Sequence, residues 1–412
     1  MVGSRPWQRY SCGNGMEGTI FRSSLERFSA VVRGHKLGVV CNYASVGPGF
    51  RHLVDLLRGH GHEVVAVFSP QHGFRGEQQA NMIESEDGRD GRTGLPVYSL
   101  YGSTRTPRAE TLAGVELLVG DLCDVGCRIY TYVSTLLNCL AATSALGKKL
   151  VVLDRPNPIS GTAVEGTGLQ PGLRSFVGMV PTVLRHGMTM GELLLLGKEA
   201  HGFRGELEVV GMEGWDRSAY LDELGLPWVY PSPNMPTVDT AVVFPGGCLL
   251  EGTNLSEGRG TTRPFELVGA PYLEAPALVE RLERAELPGV VFREAWFRPT
   301  FDKHAGTLCA GVQLHVTDRR GFKPVLTFLW LLREVLAAHG KAFSWLPPPY
   351  EYVQDRMPFD ILVGDARVRP MLERGAPLDE LRGLLEEAVA EFLPRRRPFL
   401  LYGESFPEVE PC

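Results

Sequence analysis

The stretch FSPQHGFRGE, residues 68–77, places Gln71, His72, Arg75 and Glu77 within a few positions of one another, with Gly73 and Gly76 between them. An imidazole, a guanidinium and a carboxylate this close can orient a polar ligand or move a proton on it. Glycines let the backbone come near such a ligand. Carboxyl groups recur in polar or glycine-rich surroundings at Glu77, Glu84, Asp124, Asp154, Glu165, Glu192, Glu251 and Glu257. Asn157, Asn234 and Asn254 can bind hydroxyls and amides, while Tyr130, Tyr132, Trp215 and Trp228 offer flat apolar faces. Carboxyls among amides and aromatic rings suit glycoside hydrolysis, which typically uses one protonated and one ionised carboxyl across the scissile bond. Composition does not choose the pair.

Other chemistries fit less well. The first apolar run is followed by NYASVGPGF, not by G-x-G-x-x-G opening a helix, and no G-x-x-x-x-G-K-[ST] occurs. Nucleotide binding is therefore not expected. His60 and His62, and Cys123 and Cys127, are pairs without a matching second pair, and there is no H-E-x-x-H. No metal or other cofactor is expected, although the fold could still bring His72 and His186 together. G-x-S-x-G is absent, and Ser69 and Ser256 sit in polar loops where hydroxyls usually bind backbone.

Repeating elements must hold these groups. KLGVVCNYA, EVVAVFSP, GLPVYSLYG, GVELLVGDL and KKLVVLDRP read as buried strands. FRHLVDLLRGHG and VGCRIYTYVSTLLNCLAATSALG between them read as helices. Solid Val/Leu strands separated by helices predict a parallel sheet covered on both faces, a Rossmann-like doubly wound α/β domain. Ligands bind such sheets at the carboxyl ends of the strands. Three of these ends deliver Gln71-His72, Asp121 with Asp124, and Asp154-Arg155-Pro156-Asn157. We expect an extension over 1–35, the Rossmann-like domain over 36–165, and a second α/β domain over 166–412, with the cleft between the two domains. In the second domain, helices are expected near 272–286, 323–339 and 378–393. Strands are expected in GVVFREAWF and LCAGVQLHVTD, and WLPPPYEY (345–352) reads as a stiff connection.

The 412 residues are 44% hydrophobic and 22% charged, with a net charge of −6. That is an ordinary globular balance with no basic footprint for nucleic acid and no attraction to an anionic membrane. No apolar stretch is long enough to span a bilayer, and the first twenty residues show no secretory h-region. Translation starting at Met16 is compatible with this reading. The eight cysteines are scattered, with Cys139 and Cys309 in apolar runs, as in a reduced cytoplasmic protein.

Ten collinear motifs, among them FSPQHGFRGE, DVGCRIYTYVST, VVLDRPNPISG, VEGTGL, RHGMTMGEL, GLPWVYPSPNMPT and EGTNLSEGRGTTRPFE, carry a resemblance to the NamZ-type exo-β-N-acetylmuramidases over roughly residues 36–400. The resemblance implies hydrolysis of a β-1,4-linked N-acetylmuramic acid from the non-reducing end of peptidoglycan fragments, in a cleft between two domains and without a cofactor. A cytoplasmic member would recycle imported muropeptides. The resemblance puts His72 and Arg75 in the cleft, with Gln71, His186 and Arg259 among the groups expected to meet substrate. It brings Glu165, Glu251, Asn254 and Glu257 to the same cleft from the second domain. Arg75, Arg155 or Arg185 would pair with the lactyl carboxylate, a group that guanidinium fits well. Asp124 and Asp154 would be second carboxylates or hydroxyl binders.

The family pattern has glutamate, the favoured acid, where this chain has Gln71. An amide cannot protonate a leaving oxygen as a carboxylic acid does. Glu77 and Glu84, in the same loop, are then first choices for the acid. A raised-pKa acid would be the carboxyl best shielded by Tyr130, Tyr132 or Phe74. A different amino sugar, or a glycan-binding protein without hydrolysis, is the alternative; a metal-assisted hydrolase is a third reading. Whether two carboxyls retain or invert, or the substrate's N-acetyl group is the nucleophile, stays open.

Overall fold

A computed structural model describes residues 17–80 and 82–403. The first sixteen residues, which carry the expectations about export and a start at Met16, lie outside that range, as do Cys12 and Cys412.

Strands β1 (Lys36–Cys41), β2 (Glu63–Ser69), β3 (Gly88–Arg89), β4 (Pro96–Ser99), β5 (Leu117–Asp121), β6 (Lys149–Leu153) and β7 (Leu207–Val210) form one sheet. Their order is β3-β4-β2-β1-β5-β6-β7, parallel except for β3. Alternation along the strands divides two cores. Leu37, Val39 and Cys41 of β1 pack with Leu25 and Phe28 of helix α1 (Glu17–Val31) and Leu53 and Leu57 of α2 (Leu53–Gly59). Val40 and Leu118 face the other way, with Leu112 of α3 (Ala109–Leu112), Leu136 and Leu140 of α4 (Tyr132–Ala145), and Leu193 of α5 (Met190–His201). Both faces are thus dry, so strands such as β1 are apolar throughout rather than alternating.

The rest of the chain adds α6 (Val238–Gly247), β8 (Leu267–Ala270), α7 (Ala275–Glu283), β9 (Val290–Phe297), β10 (Cys309–Val316), α8 (Pro324–His339), α9 (Pro358–Val363), α10 (Val368–Glu373) and α11 (Leu378–Arg396). Strands β8-β10-β9 form an antiparallel sheet. Strand β9 alternates: Phe292 is buried while Val291 and Trp296 are exposed, as expected with one wet face. The second core is continuous with that around α4 and α5. Glu165 stitches the two halves together, its carboxylate accepting from the backbone N–H of Val325 (3.2 Å) and Leu326 (2.9 Å) in the first turn of α8.

The expected boundary at 165/166 precedes the last strand of the large sheet, because β7 pairs with β6. Helix α5 follows the same boundary and completes the cover of that sheet. Its start is legible in TMGE, where Thr189 and Glu192 form a capping box. No described helix is long and apolar enough to cross a membrane. The six described cysteines are unpaired thiols, and Cys139 and Cys309 are fully buried.

Candidate active site

The order of the sheet reverses at β1, which lies between β2 and β5, and the carboxyl ends of these strands open on a cleft. Two adjoining cavities occupy it, of about 490 and 710 Å³ with the space open to solvent included. Ligand clefts have this size. The inner cavity is lined by Gln71, His72, Tyr130, Tyr132, Asn234, Glu251, Arg259, Tyr350 and Glu351. The outer one shares Glu251, Arg259 and Tyr350 and adds Glu257, Asp302 and Lys303.

The loop after β2 forms one wall. His72 sits in the left-handed region (φ 73°), and its Nδ1 donates to the carbonyl of Gln78 at 2.7 Å. Nε2 is therefore the acceptor nitrogen, and burial pushes the imidazole down to about 4, so it is neutral at pH 7. Gly76 allows the wall to close: a Cβ there would lie 2.0 Å from the Tyr43 ring. Asn234 Nδ2 donates to the Gln79 carbonyl at 2.8 Å, tying the wall to the SPNMP loop. Tyr132 Oη donates to the Pro231 carbonyl at 2.6 Å and accepts from Asn42, with the Tyr130 ring edge-on at 4.7 Å.

The opposite wall is charged. Arg259 bridges Glu251 (2.5 Å) and Glu257 (3.1 Å), and Glu257 also binds Lys303 at 2.6 Å. Lys303 and Arg259 hold Glu257 below the usual carboxylate range despite its burial. Glu251 also accepts from Tyr350 Oη at 2.7 Å. Glu251 is thus held by a guanidinium and a hydroxyl at once.

Glu351 closes the floor. Tyr350 and Val353 exchange backbone hydrogen bonds at 3.0 and 2.9 Å, making a two-residue turn with Glu351 (φ 43°) and Tyr352 (φ 67°) at its tip. Such turns normally carry Asn or Gly, and non-glycine residues there mark stored strain. The Glu351 side chain is buried, with Tyr101 Oη donating to its two oxygens at 3.1 and 2.9 Å. Gln71 accepts from Thr131 Oγ1 at 2.7 Å through Oε1, so its amide nitrogen is the group that meets Glu351. Burial, reinforced by the Glu251 charge, pushes the Glu351 carboxyl up to about 7 against the hydrogen bonds from Tyr101 and Gln71 and the charge of Arg105. Arg105 stacks on the Tyr352 ring at 3.4 Å, beside Tyr101.

Eight of the sequence-derived candidates thus line the two cavities: Gln71, His72, Tyr130, Tyr132, Asn234, Glu251, Glu257 and Arg259. The others are held elsewhere. Arg75 is exposed and pairs with Asp90; Glu77 is exposed and caps the Arg75 N–H at 2.9 Å. Glu84 is exposed and accepts from Tyr352 Oη at 2.5 Å. Asp154 is wholly buried in hydrogen bonds, and Asn157 ties to Met188 and Ile159. Glu165 caps α8, and Arg185 donates to the Ile159 carbonyl and Tyr220. Asn254 clamps Ala342, Ser344 and Tyr272. Phe74 packs edge-on against His52 rather than over a carboxyl.

Asp124 and Arg155 line a different cavity, with Cys123, Pro156, Leu221 and Trp228. It is mostly apolar; Arg155 is paired with Asp121, and Asp124 lies 3.3 Å from His186. The inner cleft is the better candidate because it holds two carboxyls in unlike surroundings, Glu251 paired with Arg259 and Glu351 buried against Tyr101. His72 and His186 fall in different surroundings, and no group of three metal-ligating side chains forms among the described residues.

Sequence reasoning missed Glu351, Tyr101, Arg105 and Lys303. For Glu351 the signal was present: a carboxyl flanked by two tyrosines in a proline-stiffened segment.

Comparison with known proteins gives one consistent answer. Residues 37–239 match the family described as exo-β-N-acetylmuramidase NamZ, N-terminal, and residues 242–402 its C-terminal counterpart. The peptidoglycan β-N-acetylmuramidase NamZ of Bacillus subtilis (strain 168) is 42% identical over 379 residues, 92% of this chain and 89% of that protein. A DUF1343 family protein of Bacteroides fragilis superposes with a TM-score of 0.82 at 30% identity, covering 93% of this chain and 99% of its own. A second from the same organism gives 0.73 at 27% identity, covering 94% and 99%.

Proposed function

Since the chain belongs to the NamZ exo-β-N-acetylmuramidase family, we propose that it removes N-acetylmuramic acid from the non-reducing end of peptidoglycan fragments in the cleft beside Gln71, His72 and Glu251. The observation that carries this reading is the pair Glu251 and Glu351 in one cavity, Glu251 bound by Arg259 and Glu351 shifted toward the protonated form. Glycoside hydrolysis typically uses a pair of carboxyls, one of them protonated. An amide-lined cleft would have favoured a glycan binder without hydrolysis; a carboxyl facing the cavity favours the enzyme. Tyr130 and Tyr132 supply an apolar wall for a sugar face. Arg259 lines both cavities and, with Lys303, gives the outer one the cations suited to a lactyl carboxylate, a role for which Arg75, Arg155 and Arg185 are not placed because they line neither cavity. A domain boundary near residue 240, after β7 and α5, accounts for the sheet better than one at 165.

The test compares aryl β-N-acetylmuraminide with the matching N-acetylglucosaminide. We expect kcat/KM to favour the muraminide by at least about 100-fold, the discrimination given by a site whose charged partner is left unpaired by the wrong substrate. Equal turnover of both sugars would remove the lactyl group from the recognition.

A further inference from the structure

We propose that Glu351 is the general acid of this hydrolysis, positioned by Tyr101 and by the amide of Gln71. The proposal rests on the muramidase reading and adds the group that moves the proton. Position 71 cannot supply that proton, and Glu77 and Glu84 lie on the exposed side of their loop, engaged by Arg75 and Tyr352.

Three features of the geometry support the assignment. Glu351 lines the cavity from the tip of a strained turn that aims its side chain inward. Its two local partners, the Tyr101 hydroxyl and the Gln71 amide nitrogen, both donate to it. With both partners donating, the hydrogen of a protonated carboxyl in that setting is available to a substrate oxygen in the cavity. The charged groups facing it are Glu251 across the cavity, which keeps the proton on, and Arg105 beside Tyr101, which opposes this; burial decides in favour of the proton.

In the step, Glu351 gives its proton to the glycosidic oxygen as the bond from C1 to that oxygen breaks. The bond's electron pair stays on the oxygen, which leaves as a free hydroxyl of the shortened glycan. Water adds at C1 and loses a proton, which returns Glu351 to its acid form. The sum is one water consumed per bond broken. Glu251, in the same cavity, is the second carboxyl on the side of the developing positive charge on C1.

The test uses the full chain with Glu351→Gln, Glu351→Asp and the exchange Gln71→Glu/Glu351→Gln. The substrates are a muramic acid–glucosamine disaccharide and a 2,4-dinitrophenyl muraminide, whose leaving group needs no proton. Glu351→Gln should lose about 10³-fold in kcat/KM on the disaccharide and less than about tenfold on the dinitrophenyl glycoside. The exchange variant, with a carboxyl returned to the adjacent position, should recover part of the disaccharide rate. Equal losses on both substrates in a folded protein, or no loss on the disaccharide, would overturn the assignment. If Glu351→Gln does not fold, the same leaving-group contrast read in Glu351→Asp decides. Wild-type protein inactive on both muraminides would instead sink the muramidase reading, an outcome separable from failure of the acid because it appears without any substitution.

Discussion

Asp154 and Glu351 are both buried carboxyls, and burial raises both, Asp154 to about 6 and Glu351 to about 7. They differ in what surrounds them. Asp154 accepts from the Arg155 and Gly191 N–H groups through Oδ1, and from Thr189 Oγ1 and Tyr402 Oη through Oδ2, at 2.7–3.0 Å. Four donors fill its four lone-pair positions, which fixes it as an ionised structural knot joining β6, α5 and the C-terminal segment. Glu351 has two donors and a cavity. A raised pKa in a buried carboxyl therefore does not by itself mark a catalytic group; unfilled hydrogen-bonding capacity facing a cavity does.

Removing each carboxyl should break the two regions in opposite ways. Asp154→Ala leaves four buried donors without an acceptor and should cost at least ~3 kcal/mol. The remaining folded protein should keep its kcat. Urea unfolding together with active-site-normalised rates checks this, and a stable but inactive Asp154→Ala protein would place Asp154 in the chemistry after all. Glu351→Gln should do the reverse. A carboxyl whose folded pKa is raised binds its proton more tightly than the unfolded chain does, so its burden on stability appears as pH rises from about 4.5 through about 7. Replacing it with a neutral amide lifts that burden, on the order of 3 kcal/mol at pH 8. The Glu351→Gln protein should then melt no lower than wild type at pH 8, while being inactive on the disaccharide.

Glu165 gives a milder version of the structural case. Its carboxylate caps α8 from the other half of the molecule. Glu165→Ala should cost ~1–2 kcal/mol, the scale of a lost helix cap. Its pH–rate profile should match that of wild type, and an altered profile would mean that the cap also sets the geometry of the cleft.

The sheet was legible in the sequence because its strands are dry on both faces. That makes runs such as LGVV and LVVL unmistakable and brings polar residues out only at the carboxyl ends. β7 was not legible because LEVV is short and half-buried. In the site, Gln71 and His72 were found by the strand-end rule because they sit just past β2, and Tyr130 and Tyr132 as aromatic faces at the start of α4. Arg155 and Asp154 obey the same rule yet serve other purposes, since sequence position gives no information on which partners a side chain has already taken. Glu351 escaped because its turn belongs to no strand of the large sheet. Only the folded chain brings it beside Gln71, 280 positions away in sequence.

The finest probe of the comparison is the donor side of Glu351. In wild type, kcat/KM should fall about tenfold per pH unit above a midpoint near 7, as the acid loses its proton. The hydrogen bonds from Tyr101 stabilise the ionised carboxylate and so hold that midpoint down. Tyr101→Phe removes them without opening a large hole, so the acid should keep its proton to higher pH and the basic limb should move upward, by less than about one pH unit. The matched change on the structural knot, Tyr402→Phe, removes one of four donors from Asp154 and should leave the limb where it was. A limb that moved downward in Tyr101→Phe, or equally in both variants, would mean that the titrating group is not the carboxyl at the floor of the cleft. An upward shift confined to Tyr101→Phe ties the proton that matters to Glu351 through a residue that need not touch the substrate.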